Sequence, residues 1–188
     1  MSHIRLAALF CLLLTGPALA QHQPMPSAPY RGLETRPIKA LSDEQIAELK
    51  AGRGMGLALP AELNGYPGPI HVLEHAEGLG LSAEQRTRVR TLYEAMKGEA
   101  VPLGERLIAQ EADLERLFAG RTVTPASLDR STAEIGRTQA ALRAAHLKYH
   151  LIMMDVLTPD QVRRYAELRG YRSGGAPKHE HGGGHGRH

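Results

Sequence analysis

"LSAEQRTRVRTLYEAM", residues 81–96, begins a long amphipathic helix and decides the fold of this chain. Ser82 is placed to accept a hydrogen bond from the free backbone amides of the first turn, and Gln85 can return one, which is the pattern of a capping box. Apolar residues then recur at steps of three and four, the period of one helix face, and predict a helix over 85–118. They are Val89, Leu92, Met96, Leu103, Leu107, Leu114 and Leu117.

The same cap occurs at two further places in the chain. "LSDEQ" at 41–45 and "LTPDQ" at 157–161 repeat the Ser or Thr with a Gln three residues later. Pro159 stands at the first helical position, where a missing N–H costs nothing. Each copy therefore predicts the start of a helix, and the last one opens a short helix over 159–169.

A second long helix is predicted between these boxes. "AGRTVTP" breaks the first helix, Thr124 caps the next one and Pro125 opens it. The helix is predicted to end near Val156. Its apolar stripe consists of Leu128, Thr132, Ile135, Gln139, Leu142, His146, Tyr149 and Met153.

Two long helices joined by a short turn predict an antiparallel helical hairpin. The fold class is therefore all-α, with short flanking helices and a bend in the first long helix at Gly98, Pro102 and Gly104. Phe118 is the only phenylalanine after residue 20, and the chain has no tryptophan. Because so thin a core is hard to fill alone, we expect a homodimer.

The first residues have the pattern of a secretory signal peptide. Residues 1–20 contain a basic Arg5, an apolar run over 6–14 and the sequence ALA at 18–20 as a cleavage site. The only cysteine, Cys11, lies in this segment, so the mature chain is predicted to hold no thiol or disulfide. We expect an exported, periplasmic protein with no membrane span after cleavage.

Composition divides the remaining chain into four parts. Residues 21–40 are proline-rich without apolar periodicity and predict a disordered arm. Residues 41–67 predict a short helix and a glycine- and proline-rich loop. The helical-hairpin domain covers 68–171, and 172–188 form a disordered tail. Acidic and basic residues are interspersed in a chain of formal net charge +3, which argues against a nucleic-acid partner.

"HVLEH", His71 to His75, matches the H-x-x-E-H signature of inverted zinc metalloproteases. Such enzymes also need a third protein ligand, a substrate cleft and a domain far larger than a helical hairpin. The chain has no nucleophile elbow, phosphate loop or cofactor fingerprint either. We therefore expect no enzymatic activity.

A second histidine pair favours metal binding. His146 and His150 are four residues apart, hence about 40° apart around a helix, and His71 and His75 repeat this spacing. In an antiparallel hairpin the two pairs lie at neighbouring ends. Four imidazoles, or three with a carboxylate or with a thioether from Met153 or Met154, could enclose one Zn, Ni, Co or Cu ion. Affinity should fall on acidification, because the ligands are neutral imidazoles.

A structural interpretation of the same residues stands beside this one. His146 lies on the apolar stripe, where a packed and hydrogen-bonded histidine is ordinary. His71 and His75 lie at the edge of an apolar face, where a solvated histidine is also ordinary. Four more histidines in the tail could collect ions only weakly, since nothing orders that segment: His179, His181, His185 and His188.

The boxes "LSAEQ" and "LTPDQ", each opening a helix of an exported hairpin, resemble the L-T-x-x-Q motifs of the Spy/CpxP family over about residues 68–171. That family comprises periplasmic stress proteins and ATP-independent chaperones, with zinc resistance-associated proteins among its relatives. The His-x-x-x-His before the first box and the His-x-x-x-Met before the last are similar to heavy-metal sensors of the CnrX type. This resemblance implies metal ligands at His71, His75, His150 and Met154, with Glu94 completing the site, and His146 is additional to it.

Two functions remain open at this point. The first is a periplasmic protein that senses or buffers a transition metal, for which the resemblance implies an inner-membrane signalling partner. The second is a chaperone that holds unfolded client proteins on a mixed basic and apolar surface. The candidate basic residues of that surface are Arg86, Arg88, Arg90, Arg106 and Arg116.

Overall fold

The structure, a computed structural model, describes residues 30–171. The predicted signal peptide, most of the predicted N-terminal arm and the predicted tail lie outside these residues. Within them the chain forms six α-helices and no strand, so the all-α prediction is confirmed. The helices are α1 (Asp43–Lys50), α2 (Leu59–Glu62), α3 (Pro69–Glu74), α4 (Ala83–Ala119), α5 (Pro125–Met153) and α6 (Pro159–Leu168).

The three predicted capping boxes are confirmed at the starts of α1, α4 and α6. The backbone N–H of Gln85 donates to Ser82 Oγ at 3.1 Å, and Gln85 Oε1 accepts from the Ser82 N–H at 3.0 Å. The boxes of Ser42 and Thr158 have the same two bonds. A fourth box, between Thr124 and Ser127, begins α5. Each cap contributes about 1 kcal/mol by satisfying backbone amides that the helix leaves free.

The two long helices pack against each other in antiparallel directions. Lys148 Nζ, late in α5, lies 2.7 Å from both carboxylate oxygens of Glu99, and the Tyr149 hydroxyl donates to Glu99 Oε1 at 2.8 Å. At the start of α4, Gln85 reaches the carbonyl of Val156, beyond the end of α5. Residues therefore pair in reversed order along the two helices.

Two apolar clusters form the core. The first brings α3, the start of α4 and α6 together around Val72, Val89, Met153 and Tyr165. The second joins α1 to the middle of both long helices through Leu49, Ala100, Leu107, Ile135 and Leu142. Along α5 the two clusters are separated by His146 and His150, so polar side chains lie between two apolar layers.

Burial along α5 differs from the predicted stripe at four positions. Thr132 and Gln139 are exposed, whereas Thr138 and His150 are buried. The covered arc widens toward the end of α5 because α2 and α3 pack there in addition to α4. A single-helix period could not reveal this extra cover.

We predicted a bend in α4 where Gly98, Pro102 and Gly104 interrupt the pattern. The segment stays helical through Gly98, Pro102 and Gly104. A Cβ atom at Gly104 would lie 2.5 Å from the carbonyl oxygen of Leu49, so glycine here permits the close approach of α1.

The segment predicted as a glycine- and proline-rich loop contains the short helix α2, and Glu62, its last residue, is buried. None of the helices within residues 30–171 is long and apolar enough to cross a membrane.

Candidate metal centre

A cavity of about 220 Å³ lies between the two apolar clusters. Three of the predicted site residues line it: His71 from α3, and His146 and His150 from α5. Glu62 from α2 and Met96 from α4 complete its polar and apolar walls. The structure therefore places one histidine of the first pair on the wall of the same cavity as both histidines of the second.

The other three predicted site residues do not line this cavity. His75 is the C-terminal cap of α3. Met154 is the C-terminal cap of α5 and is 38% exposed. Glu94 is exposed on α4, and its carboxylate lies 4.0 Å from Lys97 Nζ.

His150 is held in one orientation by the backbone. Its Nδ1 lies 2.7 Å from the carbonyl oxygen of Tyr66, and its side chain is only 10% exposed. Because a carbonyl only accepts, Nδ1 must carry the proton, which leaves the lone pair of a neutral imidazole on Nε2. Metal-binding histidines are commonly oriented in this way, with the second nitrogen donating to a carbonyl or carboxylate.

Glu62 is the candidate site residue that sequence reasoning missed. Its Oε1 accepts hydrogen bonds from the hydroxyls of Tyr165 and Tyr171 and from Arg169 Nε, the last two at 3.0 and 3.2 Å. Its Oε2 is buried without a hydrogen-bond partner and lies 3.9 Å from His150 Nδ1. Burial, and then the bond to Glu62, raise the pKa of Tyr165, which keeps this phenol protonated as a donor. One carboxylate oxygen is thus anchored while the other stays free.

His146 is the second buried group with an unused polar atom. The residue is 4% exposed, and its Nε2 has no hydrogen-bond partner. Burial, followed by the neighbouring His150, lowers the pKa of His146 and favours its neutral form. A neutral imidazole is the form that binds a metal ion.

Two glycines allow the backbone to pass close to these side chains. A Cβ atom at Gly68 would lie 2.9 Å from His150 Cε1, 3.1 Å from His150 Nε2 and 3.6 Å from Glu62 Oε2. A Cβ atom at Gly54 would lie 3.3 Å from His146 Nδ1. The backbone therefore approaches the polar cluster without filling it.

His71 stands at the cavity with its ring oriented by a local contact. Its Nδ1 lies 2.8 Å from Glu74 Oε2, and its side chain is 35% exposed. The Glu74 carboxylate can only accept when ionised, so this contact favours a proton on Nδ1 and a free Nε2. The glutamate of "HVLEH" therefore orients the histidine of the same helix.

The donor types fit a transition metal ion, but the described side chains do not enclose one as they stand. Imidazole nitrogen with a carboxylate oxygen is a donor set that Zn, Ni, Co and Cu accept. Among residues 30–171, no three His, Cys, Asp or Glu side chains are already arranged to hold an ion. Binding at the cavity therefore requires side-chain movement that brings the donors together.

One signal in the sequence could have identified Glu62. It is the only charged residue between Gly54 and Ile70, in a stretch otherwise made of apolar, Gly, Pro, Asn and Tyr residues. A single carboxylate in such a setting is either solvated in a loop or buried for a purpose. Only its contacts with residues more than a hundred positions later distinguish the two.

Comparison with known proteins gives one match. A family model described as heavy-metal resistance matches residues 57–164, which include Glu62 and all three histidines of the cavity. No curated protein and no solved structure matches the chain.

Proposed function

The chain belongs to the heavy-metal resistance family, the Spy/CpxP-like helical group that includes CnrX-like and zinc resistance proteins, and from this premise we propose that it binds a divalent transition metal ion. The ion is Zn, Ni, Co or Cu, and the protein senses or buffers it in the periplasm. We propose no catalytic role for this protein.

One observation carries this proposal. His71, His146 and His150 line a single cavity together with Glu62, and two of these residues have a buried polar atom without a partner, Glu62 Oε2 and His146 Nε2. Leaving a buried polar atom unsatisfied costs about 1–3 kcal/mol, so such atoms are rare unless they serve a ligand or an ordered water. Binding of an ion would satisfy both.

Calorimetric titration of Zn(II), Ni(II), Co(II) and Cu(II) into the mature chain tests the proposal. The four tail histidines are replaced by alanine in the same full chain, so that the tail does not contribute. We expect saturable binding of about one ion per chain with a dissociation constant below micromolar. The absence of saturable binding for all four ions would refute the proposal and leave the histidines with a structural role.

Sensing and buffering differ in what binding does to the protein. A sensor that signals to an inner-membrane partner must change conformation, whereas a buffer need not. Hydrogen exchange with and without the bound ion separates them. Protection confined to the cavity would favour buffering, and a change that extends along α4 and α5 would favour sensing.

A second function is favoured by a separate feature, an apolar groove of about 580 Å³. The half-buried Leu41 and Leu57 line it together with the core residues Leu49, Leu107 and Leu142. Such a groove supports binding of unfolded client proteins, or burial in a homodimer, as the thin core predicts.

The candidate arginines of the chaperone surface differ in their contacts. Arg88, Arg90 and Arg106 are exposed. Arg116 pairs with Asp113, and Arg86 donates to the carbonyl of Leu81 at 3.2 Å. A chaperone should suppress aggregation of an unrelated unfolded protein at stoichiometric amounts. No suppression, together with a monomeric mass in light scattering, would refute both uses of the groove.

A further inference from the structure

We propose that the metal ligands of this chain are Glu62 Oε2, His146 Nε2 and His150 Nε2, with His71 as a fourth ligand from the cavity rim. This inference rests on the proposed metal binding and identifies the site that performs it. It differs from the ligand set that the family resemblance implies, because Glu62 and His146 replace Glu94, His75 and Met154.

The carboxylate of Glu62 is prepared for this role by its surroundings. Three donors converge on Oε1, from Tyr165, Tyr171 and Arg169, and none reaches Oε2. If Glu62 served only to pair with Arg169, both oxygens would be expected to share the donors, since Arg offers several N–H groups. A carboxylate fixed through one oxygen, with the other buried beside the cavity and unpartnered, matches the way ligand carboxylates are oriented in metal sites.

The two histidines of α5 present the matching nitrogen donors. They stand four residues apart on the same face of one helix, so their rings are neighbours. His150 is anchored through Nδ1 on Tyr66, and His146 has an unpartnered Nε2. Both are less than a tenth exposed, which places them away from competing water.

Placement excludes the alternative ligands from this cavity. His75 and Met154 cap the ends of two helices, and Glu94 is exposed on α4. None of the three lines the space between Glu62, His146 and His150. We therefore assign no ligand role to these three side chains.

Binding of one ion by these four groups requires side-chain movement, because among residues 30–171 no three such donors are already arranged to hold an ion. The backbone at Gly68 passes close to both His150 and Glu62 Oε2, and Glu62 belongs to the short helix α2, which precedes the turn at Gly65. His71 is the most exposed of the four proposed ligands and can swing inward from the rim. Binding of an ion should therefore order α2 and α3 against α5.

Affinity measurements on two sets of variants test the assignment. The first set is Glu62→Gln and His146→Asn in the full mature chain with its tail histidines replaced. The second, matched set is Glu94→Gln, Met154→Leu and His75→Ala. Loss of a hydrogen-bond partner outside the ligand shell already costs about 10- to 100-fold in metal affinity, so loss of a ligand should cost about 100-fold or more. The second set should stay within twofold of the unsubstituted chain.

The outcomes separate this inference from the proposed function. If the unsubstituted chain binds no ion, the proposed function fails. If it binds, but the second set loses the affinity and the first set retains it, metal binding stands and the ligand assignment is wrong. Thermal unfolding of each apo variant identifies a loss caused by misfolding, which matters for the buried Glu62.

A measurement on the unsubstituted chain avoids the folding question. Long-range ¹H–¹⁵N spectra of the histidine rings, recorded with and without Zn(II), report which nitrogen binds the ion. We expect Zn(II) to shift Nε2 of His146 and His150 and to leave the ring of His75 unchanged. Coordination by His75 with an unchanged His146 would overturn the assignment.

Discussion

The side-chain amides of Gln85 and Gln161 exchange hydrogen bonds, although 76 positions separate them in the chain. Gln85 Nε2 donates to Gln161 Oε1 at 2.8 Å, and Gln161 Nε2 donates to Gln85 Oε1 at 3.0 Å. Each Oε1 also accepts the backbone N–H of its own N-cap residue. Two capping boxes are thereby joined, and the starts of α4 and α6 are fixed side by side above the first apolar cluster.

Gln85→Ala should therefore destabilise the protein more than an ordinary cap mutation. The substitution removes the side-chain half of the box at α4, both bonds of the pair with Gln161 and the bond to the carbonyl of Val156. We expect a loss of about 3–4 kcal/mol in the free energy of unfolding, since four hydrogen bonds are lost and each contributes about 1 kcal/mol net. Urea denaturation measures the loss.

The matched control is Gln45→Ala in the same motif at α1, where no such cross-pair exists among the described residues. There the freed amide of Ser42 is exposed and can bind water, so the loss should stay below about 1 kcal/mol. Equal losses for the two variants would contradict a structural role for the cross-pair.

Gly104→Ala should destabilise the packing of α1 on α4. The added methyl group would meet the carbonyl oxygen of Leu49 at 2.5 Å, so one helix must shift. Overpacking of this kind costs about 1–3 kcal/mol. Thermal unfolding of the variant measures it.

Gly98→Ala, on the same helix and with open space around the new methyl group, provides the comparison. It should stabilise the protein by about 0.5–1 kcal/mol, because alanine is the better helix former. A Gly104→Ala protein as stable as the unsubstituted chain would show that α1 yields freely at this contact.

Gly68→Ala should weaken metal binding without removing a ligand. Gly68 has φ −87° and ψ 144°, which alanine adopts without strain. Its methyl group would lie 2.9 Å from His150 Cε1 and beside Glu62 Oε2. We expect a loss of at least tenfold in affinity, measured by calorimetry.

Gly98→Ala serves again as the control for Gly68→Ala and should bind metal like the unsubstituted chain. If Gly68→Ala bound metal with unchanged affinity and remained folded, the ion would have to lie elsewhere than in the space between Glu62 and His150.

Glu99 should make stability depend on pH in the acid range. Hydrogen bonds from Lys148 and then from Tyr149 hold the pKa of Glu99 below its ordinary value of 4.5, and Tyr149 remains a donor because burial and Glu99 raise its pKa to about 12. With the folded pKa lower, the unfolded chain binds more protons between the folded pKa and 4.5. This stabilisation is present above pH 4.5 and is lost as the pH falls through the folded pKa.

Glu99→Gln should accordingly lower the free energy of unfolding at pH 7, and the difference from the unsubstituted chain should shrink as the pH falls below 4.5. Urea denaturation at several pH values measures this. Glu105→Gln, on an exposed side chain of the same helix, should show no such trend. A difference between Glu99→Gln and the unsubstituted chain that is independent of pH would assign the effect to packing.

The helices of this protein follow from local chemistry and could be predicted. The hydroxyl of Ser82 and the amide of Gln85 act within one turn, and the leucines of α4 repeat at the helical period, so neighbours in sequence suffice to specify both. The close spacing of His146 and His150 on one helix face is local in the same sense.

The candidate site could be predicted only in part. Because the two long helices are antiparallel, the start of α4 lies beside the end of α5, and His71 lines the same cavity as His146 and His150. The sequence indicated that these two ends are neighbours. The sequence could not indicate that His75 and Met154 become C-terminal helix caps and do not line the cavity. Whether a residue belongs to a helix or caps it depends on where the helix ends, and sequence patterns define helix ends only to within one or two residues.

Sequence alone thus determined the all-α class, the helix starts and the histidine pairs, because each depends on contacts within about four residues. Tertiary structure alone decided that Glu62 joins the histidines. Its carboxylate is buried by Tyr165, Arg169 and Tyr171, which lie more than a hundred residues later. No local pattern specifies a partner at that distance, since the contact exists only when α6 closes over α2 and the loop before α3.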